Sequence, residues 1–391
     1  MAYIPPHKGR SNEMERPLPT PELLAPQFKK ILNMKPSRSN VERASYSFIY
    51  AKHSISRWWT IGLDDENQFP SSIDLEPVSM ESTEWKIGEK SLALMNTRLD
   101  NGVNEVRWNL PESPWLDIAE NVLEDLLASF ENVRKEMDHK LEQVQPNLVA
   151  RVGKVLFHRS PSVDVESVRK GVTTEILKQL KRSFYTDVPA SYAENIVKEV
   201  VLKIRLDFKV EKETYNVKLS DSTRPKSVLS CKCNVTKEQG KLEVYKIELN
   251  QLRNMVIDIS CPNKNLDLRL MLSSKRIVTS LTDHEILMIK DLINSAVVDP
   301  DVKGGLRWLI DRFHVIGNWH TITTTYKNPS LTLKIRHANR FAFTTSTGDT
   351  TLEIRLFLKE LVSMLQEQNA EVNSVSEKLV ENLRLIWENF L

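Results

Sequence analysis

Residues 204–219 carry the sequence IRLDFKVEKETYNVKL, in which apolar side chains alternate with polar or charged ones. Successive side chains of an extended strand point to opposite faces, so this alternation predicts one apolar face and one charged face. Ile204–Val210 and Tyr215–Leu219 each follow the pattern, and the polar link between them predicts a hairpin. A period of two therefore begins here and indicates β-structure.

The same period recurs in much of the chain. Further strands are predicted at Leu148–Phe157, Leu229–Val235, Leu242–Leu249, Met255–Ile259, Leu266–Leu272, Trp319–Tyr326, Leu331–His337 and Phe341–Thr345. One face of this series is apolar and the other is charged, which is typical of an antiparallel sheet with one face on the core and one in water.

Helices are predicted where apolar residues recur every three or four positions. Ser113-Pro114 marks one start, because Ser caps a helix and Pro suits its first position. Capping boxes at Ser191–Glu194 and Thr282–Glu285 mark two more. Further helices are predicted at Val165–Tyr185 and Val372–Phe390. The fold class is therefore α+β, with an antiparallel sheet of roughly seven to ten strands packed by about four to six helices.

Residues 1–42 are predicted to form a disordered, basic arm. Seven of the 18 prolines lie in the first 36 residues, with few large apolar side chains beside them. So little apolar surface does not offset the entropy lost on ordering. Residues 43–369 are predicted to form the α+β body, and residues 370–391 an amphipathic helix. That helix packs on the body or fills a partner's groove, and we favour the body.

Composition narrows the function classes. The 391 residues hold 54 Lys and Arg against 52 Asp and Glu, a net charge of +2, which argues against a globally basic nucleic-acid binder. There is no apolar run of about 18 residues and no apolar N-terminal segment, as a membrane span or a secretory signal would need. Three cysteines, an odd number, favour a reducing compartment. We therefore expect a soluble, cytoplasmic protein.

The sequence lacks the familiar catalytic loops. Gly88-Glu-Lys-Ser91 resembles the end of a Walker A loop but lacks the glycine four residues before the Gly-Lys pair. There is no G-x-S-x-G, no H-E-x-x-H and no kinase catalytic loop. We therefore predict no catalytic residue, no cofactor and no small-molecule substrate, and we expect that the protein is not an enzyme.

Two clusters could in principle bind a metal. Cys231 and Cys233 share one face of a strand, and Cys261 could add a third thiolate, but no fourth ligand is evident. Small apolar side chains on a buried strand face are the alternative, and the one we favour. Asp64-Asp65-Glu66 could hold a divalent cation, but it is more typical of a solvated loop. We predict no metal site.

Basic residues beside aromatic ones are the candidates for RNA contact. Lys334, Arg336 and Arg340 precede Phe341 and Phe343. The second group is Lys178, Lys181 and Arg182, which precede Phe184-Tyr185. Such groups can hold a single strand through phosphate contacts and stacking. The alternative, favoured by the near-neutral net charge, is that they only cover the wet face of a sheet.

A sheet with charged inner positions also resembles the triphosphate-tunnel barrels that hydrolyse RNA 5′ ends. That family has an E-x-E-x-K signature on its first strand, and this sequence has none. A phosphate-ester hydrolase is therefore the last of our alternatives.

The N-terminal segment MAYIPPHK resembles a tag near the N-termini of several eukaryotic RNA-associated proteins, although Gly9 interrupts the match. The candidate partner-binding residues are Tyr3, Ile4, Pro5, Pro6, His7, Lys8 and Arg10. Over most of its length the chain looks like a plant-restricted family of uncharacterised proteins. The segments that carry this likeness are 19–28, 62–65, 182–185, 245–250 and 299–308.

The chain is also similar to the plant factor that joins the cytosolic RNA exosome to the Ski complex. These resemblances imply protein partners in RNA metabolism, RNA decay included. We therefore expect a non-catalytic adaptor or scaffold of cytoplasmic RNA metabolism, with an RNA-binding module as the alternative.

Overall fold

A computed structural model gives the fold of the protein over most of its length. It describes residues 49–61, 73–78, 91–96, 112–138, 143–158, 173–224, 227–235, 242–249, 251–295, 312–342, 347–367 and 370–391. The predicted arm and its candidate partner-binding residues lie outside these ranges.

Within the described residues, the strands are β1 (Ile49–Thr60), β2 (Ile73–Val78), β3 (Ser91–Asn96), β4 (Gln143–His158), β5 (Lys181–Tyr185), β6 (Phe208–Asp221), β7 (Val228–Val235), β8 (Leu242–Leu249), β9 (Leu252–Ser260), β10 (Asp267–Ile277), β11 (Phe313–Lys327), β12 (Leu331–Ala342) and β13 (Thr347–Leu358). The helices are α1 (Pro114–Asp138), α2 (Thr174–Gln179), α3 (Ala190–Asn195, continued by a π-helical turn, Ile196–Val200, and by Val201–Lys203), α4 (Asp283–Ser295), α5 (Lys359–Gln366) and α6 (Val372–Phe390). None of them is long and apolar enough to cross a membrane. The fold class is α+β, as the sequence predicts.

Eight of the strands close into an antiparallel barrel, in the order β10, β8, β7, β6, β11, β12, β13, β4 and back to β10. The β4–β10 pairing is long, from Asp267 opposite Gly153 to Ile277 opposite Gln143. The β8–β10 seam is short: Ile277 pairs with Glu248, and the Val278 N–H donates to the Ile247 carbonyl at 3.1 Å. We call the enclosed space the lumen.

The sheet continues beyond the barrel at two places. β1 runs parallel to β9, which pairs with β10. β5 and β3 both pair with β4, and β2 pairs with β3. Gly153 permits the close approach of β5, since a Cβ there would collide with the Tyr185 carbonyl oxygen and the Phe184 ring.

The largest core cluster lies outside the barrel, between its strands and the helices. The apolar face of α1 packs there with α6, which buries Leu379, Leu383, Ile386 and Phe390 in the same cluster. A buried Leu, Ile or Phe contributes about 1.5–3 kcal/mol relative to its exposed state. The C-terminal helix therefore packs on the body, as the sequence analysis favours.

A second core cluster covers the outside of β6, β7 and β8 beneath α4. The predicted capping box starts α4: the Thr282 N–H donates to the Glu285 carboxylate at 2.7 Å, and the Glu285 N–H donates to the Thr282 Oγ1 at 3.3 Å. Cys231 and Cys233 are buried in this cluster.

Several local predictions are wrong. The sheet holds thirteen strands over the described residues, more than expected, partly because β2 and β3 lie in a stretch without a clear period. Residues 204–219 form no hairpin: β6 runs unbroken from Phe208, and Arg205 has a positive φ of 53°.

Two helix predictions also need correction. Val165–Tyr185 is not one helix, because β5 follows α2 after Leu180, where pairing with β4 overrides the apolar spacing. The helix predicted to have Ser191 as its N-cap has Pro189 in that position, two residues earlier, and Pro189 makes no side-chain capping hydrogen bond.

Candidate functional site

Strand alternation along β12 places charged side chains inside the barrel. Leu331, Leu333 and Ile335 pack into the largest core cluster, the one between the barrel and helices α1 and α6, which we call the outer core cluster. The alternate residues Lys334 and Arg336 therefore point into the lumen, and so does Arg340. The predicted RNA-contacting residues of this strand thus lie together inside a closed barrel and not on an open sheet face.

The neighbouring strands add cations by the same alternation. Lys232, for example, lies between the buried Cys231 and Cys233, and Arg151 lies between the buried Ala150 and Val152. We define the lumen cluster as Arg151, Lys218, Lys232, Lys246, Lys275, Lys334, Arg336, Arg340 and Arg355. Five lysines and four arginines from seven of the eight barrel strands therefore share one enclosed space.

Glu353 of β13 balances part of this charge. Its carboxylate pairs with Arg340 and Arg355, and Arg336 Nη1 lies 3.9 Å from Oε2. Burial opposes its ionisation, but the three guanidinium groups outweigh burial and hold the pKa of Glu353 well below its usual range. Glu353 is therefore an anion in the centre of the arginines.

Glu248 of β8 has the same role among the lysines. Its Oε1 accepts from Lys232 Nζ at 2.8 Å and lies 3.0 Å from Lys246 Nζ. Burial alone would raise the pKa of Glu248. The opposite effect of Lys275, Lys232 and Lys246 is larger and lowers the pKa to about 2.

Even so, positive charge remains in excess. Burial lowers the pKa of Lys218, Lys275 and Lys334 to about 8, and nearby cations add to each shift. Lys232 of β7 contributes to all three shifts, which shows that cations on different strands act on one another. Burial and Arg355 lower the pKa of Arg336 to about 9. Such depressed values mark groups that are destabilised as cations and that gain from an anionic partner.

Hydrogen-bond donors are also left over. The Nε atoms of Arg151, Arg340 and Arg355 are buried and have no hydrogen-bond partner within the described part of the chain. Leaving a buried donor unpaired costs about 1–3 kcal/mol. These three donors are therefore available to the oxygens of an anionic ligand.

Aromatic rings lie next to the cations. Trp319 of β11 has Lys218 Nζ 4.4 Å and Arg340 Cζ 5.4 Å from its ring centroid. On the part of the sheet beyond β10, Arg269 lies 4.6 Å from the Phe184 ring, and Asp258 holds it through two hydrogen bonds of 2.5 and 2.8 Å. The rings help to fix the direction of the cationic side chains.

The second predicted RNA-contacting group is not in the lumen. Lys178 lies on α2 and Lys181 on β5, and both are exposed. Arg182 lies on β5 with its guanidinium 4.8 Å from the Trp58 ring. The structure thus separates these three residues from Lys334, Arg336 and Arg340.

Sequence reasoning missed most of the lumen cluster. Lys218, Lys232 and Lys246 lie on predicted strands, at the charged positions of the alternation, whereas Lys275 lies on β10 three residues beyond the predicted strand Leu266–Leu272. That alternation is the available signal, but it is the same for a solvent-facing surface and for an enclosed lumen.

Of the two clusters considered as metal sites, the structure describes the cysteines but not the acidic residues. Burial raises the pKa of Cys233 to about 12 and also raises that of Cys231, so both are neutral thiols of the core. Asp64-Asp65-Glu66 lies outside the described residues. Over the residues the structure describes, no three His, Cys, Asp or Glu side chains form a group suited to a metal ion.

Comparison with protein families gives one match, over residues 42–390, to a family described as a domain of unknown function, DUF7903. The chain belongs to the DUF7903 family. No curated protein is significantly similar to this DUF7903 chain.

Solved structures of RNA triphosphatases also resemble the chain. The S. pombe RNA triphosphatase Pct1, in complex with the Spt5 CTD, is 14% identical, with 74% of this chain and 98% of that chain covered and a TM-score of 0.43. The triphosphatase of the Mimivirus capping enzyme is 9% identical, with 69% of this chain and 97% of that chain covered and a TM-score of 0.31.

These matches correct the expectation that the chain is not an enzyme, because the solved structures it resembles are those of enzymes. At this identity and TM-score the likeness assigns no activity to the chain. Its function is therefore inferred from the residues of its own barrel.

Proposed function

We propose that the lumen binds an oligophosphate group. The observation that carries the proposal is the lumen cluster, in which nine cations face two engaged glutamates, Glu248 and Glu353, and the nearby Asp349. An enclosed excess of positive charge is unfavourable in a low-dielectric interior unless an anion shares the space.

An oligophosphate suits this space better than a single carboxylate. An oligophosphate carries several negative charges along a narrow, linear group. Its charges can therefore contact cations from several facing strands at the same time. Guanidinium groups bind phosphate oxygens through two parallel hydrogen bonds, and Arg151, Arg340 and Arg355 retain unused Nε donors for this.

Calorimetric titration of the full-length protein with inorganic tripolyphosphate tests the proposal. We expect binding that weakens as salt concentration rises, because salt screens charge. Arg336→Met should weaken the binding at least about tenfold, which corresponds to one lost charge-assisted contact.

Arg384→Met is the matched control, since Arg384 is exposed on α6. It should bind tripolyphosphate as the wild type does. A folded wild-type protein that binds no tripolyphosphate, or equal losses in the two variants, would contradict the proposal.

A second candidate function is hydrolysis of the bound group. It is favoured by the three lysines whose pKa values burial lowers to about 8, because such a lysine can give a proton to a leaving oxygen near neutral pH. Water would add to the terminal phosphorus, the bond to the bridging oxygen would break, and the lysine proton would pass to the leaving phosphate. The proton that the attacking water loses would then restore the ammonium form of the lysine. The guanidinium groups would stabilise the charge on the transferred phosphoryl group.

Release of inorganic phosphate from tripolyphosphate measures this second function. We expect release by the wild type and a loss of about a hundredfold in Lys275→Met, as is typical for removal of an acid catalyst. Binding without any release would contradict hydrolysis and leave the binding proposal standing.

Partners and location are a separate proposal. We propose, on the resemblance of residues 1–10 and of the segments named above, that the protein works with an RNA-metabolism complex of the cytoplasm, such as the exosome and Ski complexes. Affinity purification of the full-length chain and of a chain lacking residues 1–10, followed by mass spectrometry, tests it. Loss of the partners with the segment is the expected result.

A further inference from the structure

Sites that bind or transfer phosphoryl groups commonly use a divalent cation, which carboxylates and water molecules hold. Whether the lumen suits such a cation depends on its carboxylates. Among the residues that the structure describes, Glu248 and Glu353 face the lumen cluster, and Asp349 and Asp187 lie near Arg340.

Glu353 has little capacity left for a metal ion. Oε2 pairs with Arg355 and lies 3.9 Å from Arg336, while Oε1 pairs with Arg340 and accepts from Thr186 Oγ1 at 3.3 Å. Both carboxylate oxygens are therefore already engaged, and a metal ion would have to displace guanidinium groups that are themselves buried.

Glu248 is engaged in a similar way. One oxygen, Oε1, holds both Lys232 and Lys246, at 2.8 and 3.0 Å. Lys275, on the adjacent strand β10, also acts on this carboxylate. A divalent cation at Glu248 would thus lie among three ammonium groups, and like charges at such short range repel strongly.

Asp349 does not supply an independent site either. It lies 3.7 Å from Arg340 Nη1, and the same guanidinium pairs with Glu353. Each of these three carboxylates therefore pairs with arginine or lysine. Both oxygens of the fourth, Asp187, accept hydrogen bonds, from the Leu352 N–H at 2.5 Å and from the Tyr185 hydroxyl at 3.3 Å. The donor set in the described part of the barrel does not fit a divalent cation.

We infer that Glu248 and Glu353 are internal counter-ions of the lumen and that the lumen takes the metal-free form of an oligophosphate, not its Mg²⁺ complex. This inference rests on the proposed function. In the free protein the two carboxylates offset part of the repulsion within the lumen cluster. When an oligophosphate enters, its oxygens share the same cations, and the ligand needs no metal ion to neutralise it.

The test compares calorimetric titrations of the full-length protein with tripolyphosphate in excess EDTA and in millimolar Mg²⁺. We expect tight binding in EDTA and an apparent affinity lower by about tenfold or more in Mg²⁺, because Mg²⁺ withdraws the free ligand into its complex. Binding that requires Mg²⁺, or that Mg²⁺ strengthens, would overturn the inference while leaving the proposed function intact. Binding in neither buffer would contradict the proposed function itself.

Glu248→Gln is the informative variant, and Glu243→Gln, at an exposed position on the same strand, is its control. If Glu248 is a counter-ion, its neutralisation leaves one more net positive charge in the lumen. The Glu248→Gln variant should then bind tripolyphosphate in EDTA at least as tightly as the wild type does. As a metal ligand, Glu248 would be required for binding in Mg²⁺. If Glu248→Gln lost tripolyphosphate binding only in Mg²⁺, the inference would therefore be wrong. Circular dichroism confirms that each variant is folded.

Discussion

Consecutive residues of β12 meet two opposite environments. Leu333 and Ile335 pack against helices in the outer core cluster, whereas Lys334 and Arg336 point into the lumen among other cations. The outer face stabilises the fold by removing apolar surface from water. The inner face does the reverse, because it confines like charges with few carboxylates to offset them.

The contrast separates the part of the molecule that stabilises the fold from the part for which we propose a binding function. A barrel whose interior only had to be filled would carry apolar or neutral side chains there. A cluster of like charges that destabilises the fold is instead typical of a site that binds a ligand of opposite charge. Substitutions on the two faces should therefore change stability in opposite directions.

The largest effect is expected on the outer face. Leu383→Ala on α6 removes a side chain that is 1% exposed within the outer cluster. The lost burial and the resulting cavity should lower the free energy of unfolding by about 2–5 kcal/mol, measured by urea denaturation. The exposed neighbour Arg384→Ala should stay within about 0.5 kcal/mol of the wild type. Equal effects of the two substitutions would mean that α6 is not packed on the body.

On the inner face the sign should reverse. Burial, together with Lys232 and other nearby cations, lowers the pKa of Lys334 from 10.5 to about 8. Below pH 8 this lysine is charged in both the folded and the unfolded protein, and the folded state bears the full penalty. Lys334→Met should then raise the free energy of unfolding by about 1–3 kcal/mol, since each pKa unit corresponds to about 1.4 kcal/mol.

The pH dependence of that gain provides a sharper test. Between pH 8 and 10.5 the folded protein binds fewer protons than the unfolded one at Lys334, so the stability of the wild type rises with pH. The advantage of Lys334→Met should therefore shrink across this window and disappear above it. Lys209→Met, at an exposed position of β6, should show no such trend. A gain that is independent of pH would show that charge is not its cause.

The smallest effect on stability is expected at β7. There Cys233 packs in the core outside the barrel, and its neighbour Lys232 points into the lumen. Cys233→Ala should lower the free energy of unfolding by about 1 kcal/mol, because little apolar volume is lost, and should leave tripolyphosphate binding unchanged. Its neighbour Lys232→Met should weaken that binding. Stoichiometric zinc in the purified protein, lost when Cys231 and Cys233 are both replaced, would contradict the assignment of these thiols to the core.

Local sequence signals predicted much of the fold correctly. The capping box at Thr282–Glu285, the Ser113-Pro114 helix start and the apolar stripe of Val372–Phe390 each depend on residues a few positions apart. The strand alternation is equally local, and it correctly predicted that one face of the sheet is charged.

The sequence by itself therefore determined the α+β class, most of the elements and the position of the charged residues along the strands. Only the tertiary structure decided that the charged face turns inward. A period of two is the same whether the polar face meets bulk water or an enclosed lumen, so it contains no information about closure. Closure depends on pairings between distant segments, such as β4 with β10, where Lys154 and Asp267 meet although they are 113 positions apart. Such pairings are set by the packing of the whole sheet against its helices, and they bring a series of basic strand positions together in one enclosed lumen.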